Sequence, residues 1–162
     1  MMKNDYLLRF DEINRLEFSK SFNELCDDLY KEMYNAFVKG YGRKPDFSIE
    51  EYIFVMYDGK DVFDLLGEAF EDKDDERMKT IFSNEYHRMY NVGLYEGAKG
   101  KYKYKTWLTM LDDKVRDSHS YLEGVKIPIN AEFITDDDKA LYPGNFEKAE
   151  NNVNCRCILK YS

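Results

Sequence analysis

The sequence is short of several residue types that mark particular protein classes: its 162 residues include three cysteines, three prolines, two histidines and one tryptophan. Three cysteines are too few for a framework of several disulfides, and the first residues, MMKNDYLLRFDEINR, contain no apolar signal-peptide core. We therefore expect a reducing, intracellular compartment. No apolar run approaches the roughly 20 residues that cross a bilayer, so we expect no membrane partner.

Basic charge is scarce as well, above all in the first half of the chain. There are 24 Lys and Arg against 32 Asp and Glu, and residues 1–80 hold 12 of the basic and 20 of the acidic side chains. Because affinity for phosphate comes from Lys and Arg, general nucleic-acid binding is not expected there. The acidic half fits a solvated surface or a basic partner protein.

Aromatic residues and helical periodicity are what the first half does contain. Fourteen tyrosines and eleven phenylalanines predict a core built largely from aromatic rings. Apolar residues spaced three and four apart predict helices over 16–37 and 78–98. Asp61 is expected to cap a further helix over 62–70. Residues 1–98 are therefore interpreted as a helical N-terminal region.

The pattern changes after residue 98. The segment KGKYKYKTW alternates lysine with tyrosine, which predicts a strand or an extended arm with its lysines on one face. These lysines are candidates for contact with DNA, or form a solvated strand face with the tyrosines turned inward: Lys99, Lys101, Lys103 and Lys105. Further strands are predicted over 125–129 and 153–161, and a helix over 112–121. The fold class is therefore α+β, with 99–162 as a small mixed module after the helical part.

Cys155 and Cys157 lie two residues apart near the end of the chain, in the segment NCRC. On a strand, such residues face the same side, so both sulfur atoms can contact one partner. Three arrangements remain open: a strained disulfide, two buried free thiols, or a metal bound by both thiolates and His119. Two thiolates and an imidazole suit zinc, with Asp112, Asp117 or water as the fourth ligand.

His119 lies in a dense polar segment, DDKVRDSHS. If residues 112–120 are helical, Asp112, Arg116 and His119 share one face, where an Asp–Arg pair is an ordinary surface salt bridge. The same residues also allow a second interpretation, a metal-independent nuclease or transferase. In it His119 acts as general base and Arg116 stabilises an anion, with Glu85 or Asp112 as the partner carboxylate. Since no phosphate-binding glycine loop, nucleophile elbow or metalloprotease motif occurs, a structural role is favoured over an enzyme.

Several separated motifs occur in a distinctive order: WLTMLD, VRDSH, LEG, a Pro-Gly turn and finally ENNVNCRC. In order and approximate spacing they resemble the phage Mu F-like family of minor head, or head-morphogenesis, proteins. Upstream, IFSNEY and YNVG resemble a family helix that usually carries a Thr-Glu pair, where Asn84 replaces the threonine. The resemblance covers about residues 78–162.

The resemblance implies a structural role as a low-copy virion protein, incorporated into the procapsid in the host cytoplasm near the portal vertex and ejected with the DNA. The implied partners are portal, scaffold or capsid proteins. It further implies mutual contact of the histidine with the Cys-x-Cys pair, which strengthens the case for zinc. The expected polar centre of the module comprises the three metal-ligand candidates and five further motif residues: His119, Cys155, Cys157, Trp107, Asp112, Arg116, Asp117 and Asn154.

Overall fold

The computed structural model describes residues 20–162, so the start of the predicted helix over 16–37 lies outside the described residues. Helices occupy the first part and small antiparallel sheets the last, which confirms the predicted α+β class. The elements in chain order are α1 (Phe22–Tyr41), α2 (Glu50–Ile53), α3 (Val62–Glu71), α4 (Asp75–Ala98), β1 (Tyr104–Leu108), α5 (Asp117–Ser120), β2 (Lys126–Pro128), β3 (Phe133–Ile134), β4 (Lys139–Ala140), α6 (Ala149–Asn152) and β5 (Ile158–Tyr161). Within this part of the chain, every helix is too short or too polar to cross a membrane.

Local side-chain signals set the ends of the longer helices. The carboxylate of Asp61 accepts the N–H groups of Phe63 and Asp64, and Asp64 accepts the N–H of Asp61, so the predicted cap is confirmed as a reciprocal pair at the start of α3. Helix α1 ends at Tyr41 and is followed by Gly42, where φ is +88°. Glycine adopts this left-handed conformation at little cost, so it closes the helix.

Helices α1 and α4 cross with their backbones in contact. A Cβ added to Gly93 of α4 would lie 2.2 Å from the carbonyl oxygen of Phe37, and one added to Gly40 of α1 would lie 2.2 Å from that of Tyr90. Only glycine on both helices allows this approach, since a side chain at either position would collide with main chain. Most residues of α4 are buried, so this helix is the centre of the fold.

The C-terminal part contains a three-stranded antiparallel sheet in the order β2-β1-β5 and a separate β3-β4 hairpin. Strand β1 is central, with Trp107 opposite Leu159 of β5 and Lys105 opposite Ile127 of β2. Trp107 and Leu159 are fully buried. The sheet therefore presents an apolar face to the core, and the tryptophan stands in the middle of it.

The prediction that the lysines of residues 99–105 share an outward face is wrong for Lys105. Regular strand pairing begins only at Tyr104, and Lys105 is 0% exposed, whereas Tyr102 and Tyr104 are 47% and 44% exposed. The assignment of faces is thus reversed, with a lysine inward and tyrosines outward. Lys105 is too buried to touch DNA, and the lysines that remain exposed are Lys99, Lys101 and Lys103.

Aromatic rings and one carbonyl group accommodate the buried ammonium of Lys105. Its Nζ donates to the carbonyl oxygen of Leu141 at 2.6 Å and lies 5.1 Å and 5.2 Å from the ring centres of Tyr95 and Phe133. The electron-rich ring faces attract the cation and partly offset its lost hydration. Burial nevertheless lowers the pKa of Lys105 from 10.5 to about 8.

This burial predicts a specific pH dependence of stability. Between pH 10.5 and about 8 the unfolded chain binds a proton at Lys105 that the folded chain does not, so the free energy of unfolding should fall as the pH decreases through this range and level off below it. In Lys105→Met this contribution disappears. We expect the free energy of unfolding of the wild type, relative to that of Lys105→Met, to increase by on the order of 2 kcal/mol as the pH rises from about 7.5 to 10.5. Urea unfolding at several pH values measures this difference. Lys103→Met, at an exposed position, is the control and should follow the wild type; equal pH profiles for all three proteins would contradict the assignment.

Candidate metal centre

The structure brings the side chains of His119, Cys155 and Cys157 together. Nδ1 of His119 lies 3.6 Å from Sγ of Cys155 and 3.8 Å from Sγ of Cys157, and the three candidate ligand atoms all lie within 4.8 Å of one another. All three residues are buried. The cysteines precede β5, which begins only at Ile158, so the predicted strand over 153–161 is too long at its start.

Aromatic rings hold the imidazole of His119 in place. The ring stacks on Phe146, with centres 5.0 Å apart and planes 20° apart, and meets the edge of Trp107 at 5.7 Å. His119 is 1% exposed, and its Nε2 has no hydrogen-bond partner among the described residues. Because the packing directs Nδ1 towards both sulfur atoms, Nδ1 is the nitrogen available to a metal ion.

Arg116 fixes the loop that delivers the cysteines. It stands at the N-terminal cap of α5, and its guanidinium donates to the carbonyl oxygens of Asn151 at 2.9 Å and Val153 at 2.5 Å. The loop is thereby tied to the start of the helix that carries His119. Arg116 acts here on the main chain, a contact that spacing in the sequence did not predict.

Two asparagines complete the same loop. The side-chain amide of Asn152 exchanges two hydrogen bonds with the main chain of Phe146, at 2.9 Å and 2.8 Å, and so links the loop to the ring beneath His119. Asn154 adopts a left-handed conformation with φ of +56°, and its N–H donates to Oδ1 of Asn84 on α4. Asn84 thereby binds the turn directly before Cys155.

A further anchor of this loop, Asp138, was missed by sequence reasoning. Its buried carboxylate accepts the main-chain N–H groups of Lys139, Glu147 and Lys148 and the side-chain amide of Asn151, all within 3.1 Å. Burial alone would raise the pKa of Asp138, but these donors lower it below its usual value. In the sequence it is the last of three successive aspartates, and nothing there distinguishes it from its neighbours.

The predicted helix over 112–121 is wrong, because α5 comprises only Asp117–Ser120. Asp112 lies in the preceding turn, where it accepts the N–H of Lys114 and pairs with Arg156 at 2.7 Å. Asp117 is exposed at the start of α5. Among the described residues, no carboxylate joins the cluster of His119 and the two cysteines, so neither aspartate is placed as a fourth ligand.

Glu85 is also not placed as a partner of His119. Its carboxylate pairs with Arg88 on the same helix, at 2.6 Å from Nη2 and 2.9 Å from Nε. Arg88 further donates to the carbonyl oxygen of Tyr52 at 2.5 Å. This buried pair therefore ties α4 to α2.

The contact between the two thiols and the nearby positive charges favour deprotonation of one sulfur atom. The pKa of Cys155 is lowered, first by the neighbouring thiol of Cys157 and then by the positive charges of Arg116 and Arg156, while that of Cys157 is raised because it keeps the shared proton. A cavity of about 20 Å³ adjoins the three ligand atoms, enough for one water-sized occupant. The donor set of one nitrogen and two sulfurs could hold a thiophilic ion such as zinc.

Comparison with known proteins identifies the family. The model of a family described as Phage Mu protein F like protein matches residues 50–160, well over half of the chain. The chain belongs to the phage Mu F-like family. The match begins at α2, upstream of residue 78, so it takes in α3 and the whole of α4 as well as the C-terminal sheet.

No curated protein and no solved structure matches the chain. Membership of the Mu F-like family indicates a bacteriophage head protein, located in the virion and with capsid-related partners. The cluster of His119, Cys155 and Cys157 lies inside the matched region, together with the loop anchors around it.

Proposed function

We propose that this phage head protein has a structural rather than a catalytic role, with a zinc ion on His119, Cys155 and Cys157 holding its C-terminal part together. The observation that carries the proposal is the burial of His119. A general base must reach the proton that it removes, and an imidazole that is 1% exposed between two aromatic rings offers a substrate no approach. The same burial suits a structural metal ligand.

The chemistry of the three side chains supports zinc. Two thiolates would balance the charge of a bound Zn²⁺ ion. The guanidinium groups of Arg116 and Arg156 favour the thiolate of Cys155 before any ion binds. Zinc would tie α5, which carries His119, to the segment that leads into β5. Small modules commonly gain stability from such a metal, because their apolar cores are limited in size.

The proposed place of the protein is near the portal vertex, where it enters the procapsid in few copies in the host cytoplasm and leaves with the DNA. Its proposed partners are portal, scaffold or capsid proteins. This part of the proposal rests on the resemblance to minor head proteins. Contact with packaged DNA stays a prediction for the three exposed lysines alone: Lys99, Lys101 and Lys103.

An enzyme centred on His119 and Arg116 is not proposed. The Arg116 guanidinium is engaged by two main-chain carbonyl groups, and Glu85 is engaged by Arg88. No contact among the described residues joins His119 to a carboxylate that would orient it as a base.

Quantitative mass spectrometry of purified particles tests the proposed place. The chain should be present in procapsids and mature heads in far fewer copies than the major capsid protein, and depleted from heads that have ejected their DNA. The major capsid protein, which remains in emptied heads, is the internal control. Absence of the chain from procapsids, or a copy number equal to that of the major capsid protein, would contradict the proposal.

A further inference from the structure

An apolar cleft of about 280 Å³ lies between the helices and the C-terminal part. One wall comes from Leu65 of α3 and Ile81 of α4, and the other from Ala149 at the start of α6 and Val153 just after it. The cleft shares no lining residue with the small cavity beside His119. None of the three candidate metal ligands lines it, but Asn152 and Val153 of the loop that leads to the cysteines do.

The charged groups in the wall of this cleft are already satisfied. Arg77 lines the cleft and is paired with Glu68 at 3.0 Å. Glu85 and Arg88 also line it, but they are paired with each other, and Arg88 also binds the carbonyl oxygen of Tyr52. Gly144, of the Pro-Gly turn, packs against the Arg88 side chain. Since this ion pair requires no further partner, the cleft fits an apolar side chain better than a charged ligand.

The cleft continues into an acidic groove. A second cavity, of about 430 Å³, shares Tyr57 and Ala149 with it and is lined by three exposed acids: Asp58, Glu147 and Glu150. Lys148, the one basic residue in its lining, is held by Asp137 outside the cavity at 2.8 Å. Within the described chain, Asp58 and Glu150 have no ion-pair partner. The groove therefore presents excess negative charge directly beside an apolar recess.

We propose that the cleft and the acidic groove together bind a segment of a partner protein that carries an apolar side chain followed within one or two residues by Lys or Arg. The cleft is large enough for one or two apolar side chains. The adjoining acids would attract the basic residues and fix the direction of the segment. None of the three candidate metal ligands lines the acidic groove either.

Nuclear magnetic resonance titration of the intact, ¹⁵N-labelled protein tests the proposal. The probe is the acetylated, amidated hexapeptide GLFKRG, and the comparison peptides are GLFEEG, which reverses the charge, and GSSKRG, which removes the apolar anchor. GLFKRG should shift the amide signals of Ile81, Val153 and Glu150. Both comparison peptides should bind at least about tenfold more weakly, a loss of roughly 1.4 kcal/mol each.

Matched variants locate the binding. Val153→Lys places a charge at the partly exposed wall of the cleft and should weaken GLFKRG binding by about tenfold or more. Ala149→Lys places the same charge elsewhere in that wall and should weaken binding to a similar extent. Ile134→Lys introduces the same charge at an exposed apolar residue on the β3-β4 hairpin, lining a different cavity, and should bind like the wild type. Glu150→Gln should weaken binding and reduce its sensitivity to salt.

Three results would overturn the proposal. The first is that about 10 mM GLFKRG shifts none of the amide signals of the cleft residues, since a specific weak contact would be detected at a lower concentration. The second is equal binding of GLFEEG, which would remove the role of the acidic groove. The third is unchanged binding by Val153→Lys and Ala149→Lys when their spectra show a native fold.

Discussion

Replacing Gly93 with alanine is expected to destabilise the protein by more than about 4 kcal/mol, enough to leave much of the chain unfolded under ordinary conditions. The new Cβ would lie 2.2 Å from the carbonyl oxygen of Phe37 and 2.8 Å from the nitrogen of Tyr41. Both are main-chain atoms of α1, so neither can rotate away. The helices would have to separate, and the core between them would lose its packing. Urea and thermal unfolding followed by circular dichroism measure the effect.

Gly67→Ala is the matched control, because Gly67 also lies inside a helix. Its Cβ would meet only the ring of Phe22, at 3.3 Å from Cζ, the far end of a side chain that can shift. The better helix propensity of alanine should make this variant as stable as the wild type, or more stable by up to about 1 kcal/mol. If Gly93→Ala changed the free energy of unfolding no more than Gly67→Ala does, the close crossing of α1 and α4 would be disproved.

Substitution within the metal-ligand cluster is the second change with a large expected effect. His119→Ala, Cys155→Ser and Cys157→Ser each remove one proposed zinc ligand, and each should lower Tm by about 10 °C or more in protein prepared with zinc. The reason is that metal binding to the folded state contributes directly to the free energy of unfolding. Differential scanning calorimetry of the intact protein measures the shift.

The controls separate metal loss from lost packing. Cys26→Ser alters the third cysteine, half-buried on α1 and outside the cluster, and should keep the wild-type response to a chelator. A strong chelator should lower the Tm of the wild type towards that of Cys157→Ser and leave Cys157→Ser itself unchanged. If the difference between wild type and Cys157→Ser persisted in full with the chelator, packing alone would explain it.

Local signals made the helical part predictable. The spacing of apolar residues located α1 and α4, and the Asp61 cap located α3, because caps and amphipathic periodicity act within a few residues. The bounds were less exact, as α1 extends through Gly40. That glycine looks like a helix terminator in the sequence, but its role is the close approach of α4, which only the tertiary structure reveals. The boundary at residue 98 between two domains stays a prediction.

The candidate metal cluster was predicted in part. The chemistry of thiolate and imidazole and the family resemblance pointed to His119, Cys155 and Cys157, and the structure brings them together. The hydrogen bonds that hold the loop around this cluster were not predictable. Arg116 and Asp138 bind largely to main-chain groups, and such contacts do not depend on the identity or spacing of the residues that they join.

Lys105 shows a different limit of sequence reasoning. Alternation along a strand defines two faces but not which of them is buried, and charge alone suggested the outward face. The central position of β1 and the rings of Tyr95 and Phe133 reversed that assignment. An aromatic cage assembled from distant parts of the chain cannot be read from the local pattern KGKYKYKTW.

Native mass spectrometry of the purified intact protein, before and after a strong chelator, tests the proposed zinc site most directly. The wild type and Cys26→Ser should each carry one zinc ion, and removal of the ion should shift the charge-state distribution towards unfolded forms. Cys157→Ser should carry none. A wild-type protein that is free of zinc after purification in its presence, with charge states that remain folded and do not respond to the chelator, would contradict the account and leave the two cysteines as packed thiols.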